Sequence, residues 1–82
     1  MNLSPTPLPL TFEEHRELGR ELRAAVIRLH ELRKLVVSVY GPNNRAAERF
    51  AAISEDLERL CAAMQAQAEH DCPGFPVQGF YR

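Results

Sequence analysis

Imidazole, carboxylate and thiol groups gather at two places in this sequence, Glu14-His15 near its start and His70-Asp71-Cys72 near its end. These are the donor groups that zinc and other transition ions take. His15, His70, Asp71 and Cys72 are therefore the candidate metal ligands, provided the fold brings the two places together. The spacing argues against a closed site, because consecutive residues on a helix point in different directions and cannot converge unless the helix unwinds. The Glu-x-x-His motif of helical di-iron sites is absent: Phe12, Ile27 and Gln67 stand three residues before His15, His30 and His70. The sequence also lacks HExxH, CxxC and a glycine-rich phosphate loop. Cys61 reads as packing, whereas Cys72, beside a proline, reads as the more reactive thiol. Neither belongs to a nucleophile system of any specificity. The sequence names no catalytic residue and calls for no cofactor, so it reads as non-enzymatic.

Two long amphipathic helices must carry these groups. Thr11 and Glu14 form a capping-box pair, and from there Leu18, Leu22, Ala25, Leu29, Leu32, Val36 and Val39 recur in alternating steps of four and three. This predicts a first helix over residues 11–40. Gly41 supplies a left-handed cap, Pro42 forbids continuation, and Asn43 or Asn44 caps the next helix. Ala46, Phe50, Ile53, Leu57, Leu60 and Met64 repeat the same rhythm, predicting a second helix over 43–71 that stops at Cys72-Pro73-Gly74. A turn as short as 41–42 makes the helices antiparallel. Facing residues then have numbers summing to about 85 or 86, which pairs Leu32 with Ile53, Leu29 with Leu57 and Leu22 with Met64. The same register sets His15 against residues 70 and 71, and His30 near Glu55 or Asp56. The fold class is all-α: a two-helix hairpin (11–71) between an extended proline-rich arm (1–10) and a short tail (72–82).

Composition narrows the function classes. Ten basic residues against eleven acidic ones leave a formal charge of −1, which creates no field favouring nucleic acid or an anionic membrane. Arg16, Arg20 and Arg23 share a helix face, but Glu13, Glu17 and Glu21 interleave with them. The chain has no run approaching the ~20 apolar residues of a membrane span. The opening residues carry three prolines and no basic residue, unlike a signal peptide. Two cysteines form no disulfide framework, and the expected compartment is the cytoplasm.

One shared seam is too small a core for an isolated hairpin of this size. A second set of residues flanks the expected seam: Val26, Ile27, Val37 and Tyr40 on the first helix, and the small Ala47, Ala51, Cys61 and Ala68 on the second. Large residues on one flank and small ones on the other are complementary. They predict a homodimer in which two hairpins form a four-helix bundle, or docking of one hairpin on a larger protein. The charges of the two helices differ in sign, +1 for residues 11–40 and −3 for 43–71, which suits pairing between unlike helices. Leu3, Leu8, Leu10, Phe75 and Phe80 of the arms are expected to fold back and cover part of the apolar surface.

Overall fold

A computed structural model describes residues 8–82, and the expectations for Met1 to Pro7, Leu3 among them, lie outside it. Two helices account for most of the described chain, α1 (Phe12–Tyr40) and α2 (Arg45–Asp71), packed antiparallel against each other. The predicted bounds differ from these by the caps Thr11 and Asn44 and by Asn43, which precedes the second helix. At the start of α1 the Glu14 N–H donates to Thr11 Oγ1 at 3.1 Å and the Thr11 N–H donates to Glu14 Oε1 at 2.9 Å, so both halves of the capping box form. Asn44 caps α2, its Oδ1 accepting from the N–H groups of Ala46 and Ala47 at 2.8 and 3.4 Å. Gly41 ends α1 with φ 89° and ψ 163°. This is not the left-handed helical cap expected from sequence but the mirror image of extended backbone, a region almost confined to glycine. There its N–H still reaches the Val37 carbonyl at 2.8 Å.

The register is the expected one at the open end, where His15 faces Asp71, and Leu18, Leu22 and Met64 of the predicted seam pack on the core, but the seam residues are only half-buried or exposed. On α2 the buried positions are Ala47, Ser54, Cys61 and Ala68, one every seventh residue, together with Gln65; Ala47 and Ala68 are fully covered. Ile53 and Leu60, expected between the helices, remain 52% and 46% exposed. These small side chains lie on the side of α2 that carries the tail cluster, while Ile53 and Leu60 lie on a different side of the helix. The expected interface of Ala47, Cys61 and Ala68 is thus corrected: these residues are buried within the single chain, Cys61 and Ala68 in one cluster with the tail, and Ala51 is half-buried. Val26 and Val37 are half-buried, whereas Ile27 and Tyr40 are exposed.

The tail beyond α2 has no helical or strand period, yet it is folded. Turn hydrogen bonds (Phe75 N–H to Cys72 carbonyl, Phe80 N–H to Val77 carbonyl) curl it back over the open end. Val77 and Tyr81 are buried there in one cluster with Cys61, Ala68 and Cys72. Phe12 packs on Phe75 and Phe80, with ring centroids 5.3 and 5.2 Å away. The expected cover by Phe80 is therefore present, Phe75 covers with one face only, and Leu8 is 90% exposed. The shortest dimension of the molecule is 15 Å, that of a single layer of helices with the tail laid on one side.

Candidate functional site

The open end of the hairpin is where the polar groups converge. His15, on the second turn of α1, is wholly buried and hydrogen-bonded at both ring nitrogens. Its Nε2 lies 2.8 Å from Asp71 Oδ2 and its Nδ1 lies 2.7 Å from the Tyr81 hydroxyl. The Asp71 carboxylate accepts only, so Nε2 carries the proton toward it; in the neutral imidazole Nδ1 then accepts from Tyr81 Oη–H. Gln67 completes the set by donating from Nε2 to Asp71 Oδ1 at 2.8 Å. Hydrogen bonds from His15 first, and from Gln67 next, hold the Asp71 carboxyl below its ordinary value. Burial first, and the Asp71 charge second, push the Tyr81 phenol above its own. Tyrosine, histidine and aspartate thus stand in the order of a nucleophile, a base and an orienting acid. Tyr81 is only 2% exposed, however, and each group is committed to its neighbour, so the set ties the tail to both helices.

A second clamp reinforces the first. Gln65 Nε2 donates to the Val77 carbonyl at 3.0 Å, and the Tyr81 N–H donates to Gln65 Oε1 at 3.2 Å, so one buried amide holds two points of the tail backbone. Gly19 lets that backbone come close: a Cβ there would stand 2.1 Å from the Phe80 carbonyl oxygen. None of Gly19, Gln65 and Tyr81 is a site residue by sequence reasoning. A glycine inside a helix of otherwise strong helix formers is a usable signal, since it costs about 1 kcal/mol against alanine. Gln65 signals only as a polar residue on a flank of small apolar ones, and Tyr81 carries no signal.

Of the four candidate ligands, the fold unites His15 and Asp71 and separates the others. His70 is exposed, and Cys72 is buried in the tail cluster, so it is not the accessible thiol expected. Among the described residues no three His, Cys, Asp or Glu side chains are grouped to hold a metal ion. His70 faces solvent, Asp71 faces His15 and Cys72 faces the tail cluster. Burial, with Glu58 second, raises the Cys61 thiol above its ordinary value. His30 pairs with Glu58 at 3.5 Å, not with Glu55 or Asp56, and both partners are about half exposed.

Two surfaces remain open. Beyond the tail lies a cleft of about 480 Å³ between Val26 and Ile27 of α1, Cys61 and Ala62 of α2, and Tyr81. On the opposite side Leu29, Leu32 and Val36 of α1 and Ile53, Leu57 and Leu60 of α2 are only half-buried or exposed. No described helix is long and apolar enough to cross a membrane. Comparison of the chain with known protein families, curated proteins and solved structures yields no match.

Proposed function

We propose that this chain is a small non-catalytic interaction module that acts by self-association, two hairpins stacking their open faces into a four-helix bundle. The observation that carries the reading is an apolar face over which, among the described residues, no second layer lies. Domains bury such a face against another layer of secondary structure, and this molecule is one layer thick. The tail lies on the side of Gln65, Cys61 and Val26, which among the described residues leaves Ile53 and Leu60 of the ridge about half exposed and its Leu57 half-buried. Exposed apolar stripes of this extent mark association surfaces.

A second hairpin is the occupant argued for because the charges complement. In a two-fold arrangement that sets α1 of one copy on α2 of the other, helices of net charge +1 and −3 face each other. The dimer expected from sequence is retained, but its contact moves from the small-residue flank to the leucine-rich ridge. Two charge substitutions separate the faces in analytical ultracentrifugation. Leu60→Glu should dissociate the dimer at concentrations where Ile27→Glu, on the tail side, leaves it intact. Dissociation by Ile27→Glu alone would put the contact on the other face. Indifference to both would exclude both apolar faces as the contact.

A further inference from the structure

The cleft beside the tail is a second, independent site, and we infer that it binds a small amphipathic carboxylate, an alkyl or aryl chain ending in a carboxyl group. Its walls are apolar, formed by Val26 and Ile27 on one side, Cys61 and Ala62 on the other, and the Tyr81 ring at the end. A volume of about 480 Å³ is within the ~300–1,000 Å³ of small-molecule pockets. The end wall is held in place before any ligand arrives. His15 fixes the Tyr81 hydroxyl at 2.7 Å and Gln65 fixes its backbone N–H at 3.2 Å, so the ring cannot swing without breaking its bond to His15, and the backbone that carries it is held as well. Preorganised walls reduce the ordering cost of binding.

The rim decides the ligand's sign. Arg23 and Arg82 border the cleft, and among the described residues neither guanidinium has a carboxylate partner. Arg23 makes only a long hydrogen bond, 3.4 Å, to the Gly19 carbonyl, which leaves most of its donors free. The one acidic rim residue, Glu58, lies 3.5 Å from His30, so the rim carries two guanidinium groups against a single carboxylate. Guanidinium forks match carboxylates, and an apolar floor below two of them takes the chain that carries the carboxylate.

The test uses the full chain and n-octanoate, kept below its micellar concentration, with n-octylammonium and n-octanol as controls, read by amide and tyrosine-ring chemical shifts. Octanoate should give saturable shifts at Ile27, Cys61, Ala62 and Tyr81, whereas octylammonium should give none there and octanol markedly weaker ones. Arg23→Gln should weaken octanoate about five- to tenfold, the scale of one charge-assisted contact at a solvated rim. Ala62→Trp fills the cleft from an exposed position and should abolish the shifts without loss of helicity. Equal binding of octanoate and octanol, or no saturable shift, would overturn the proposal. So would shifts confined to Ile53, Leu57 and Leu60, which would report alkyl chains on the open face. The cleft and the open face lie on opposite sides, so failure here leaves the dimer standing, and the reverse also holds.

Discussion

Replacing Gly19 by alanine sets two terms of opposite sign against each other, and the structure says which wins. In a solvated helix interior the change stabilises by about 1 kcal/mol, because alanine loses less backbone entropy than glycine. Here the new Cβ would fall 2.1 Å from the Phe80 carbonyl oxygen and 2.7 Å from its carbon, contacts that only a backbone shift relieves. The tail must rise off α1, and the loss is bounded by what its docking contributes. Burying Val77 and the Tyr81 ring is worth roughly 1.5–3 kcal/mol each, reduced by the ordering of the segment that carries them. After the helix gain is subtracted, a net destabilisation of about 1–3 kcal/mol remains, at roughly 4–8 °C of melting temperature per kcal/mol in a domain of this size. Thermal unfolding by circular dichroism at fixed protein concentration measures the total. Thiol labelling localises it, since Cys61 and Cys72 are buried in the tail cluster and should react faster once the tail lifts. A melting temperature that rises by roughly 4–8 °C with unchanged thiol reactivity would refute the reasoning, because it would mean that Gly19 faces nothing.

Tyr81→Phe keeps the ring but leaves His15 Nδ1 buried without a partner, and should cost about 1–3 kcal/mol in urea unfolding; a neutral result would remove the hydroxyl from the clamp. Because the Asp71 carboxyl is lowered from its ordinary value of 3.8, its contribution is present above that value and is lost as pH falls through the folded one. The acid limb of stability against pH should accordingly flatten in Asp71→Asn. The Tyr81 phenol is raised from 10.0, so its contribution is intact below that pH and fades as pH rises from there through the folded value; the alkaline limb should be shallower in Tyr81→Phe. Asn44→Ala removes an acceptor shared by two N–H groups and should cost about 1 kcal/mol, with Asn43→Ala near zero.

The helices are legible in the sequence because their signals are local. The Thr11–Glu14 box, the Gly41-Pro42 break and the Asn44 cap each fix a boundary within a few residues, and connection length alone makes the pair antiparallel. Register is legible as well, since the turn sets it, and it correctly foretells the meeting of His15 and Asp71. The seam departs from the heptad reading for a physical reason. Heptad rhythm identifies the bulkiest stripe, but here the folded tail packs on the flank of small residues and buries that side instead. Ala47, Ser54, Cys61 and Ala68 are therefore buried, Cys61 and Ala68 in one cluster with the tail, while Ile53 and Leu60 stay about half exposed. The tail is illegible because its order comes from tertiary contacts: the Gln65 amide on Val77 and Tyr81, and a gap at Gly19 that admits the Phe80 backbone. No periodicity encodes those. His15 reads as a ligand because a histidine facing an aspartate looks the same in sequence whether a metal or a tyrosine completes it.

The central claim is that a single helical layer with one leucine-rich side exposed finds its second layer in another copy. Light scattering after size exclusion, over a concentration series, tests it most directly. Self-association predicts a mass of about 19 kDa, twice the 9.3 kDa chain, that falls toward the monomer only on dilution. A well-folded species of 9.3 kDa that persists at high concentration, with its full helix content, would contradict it.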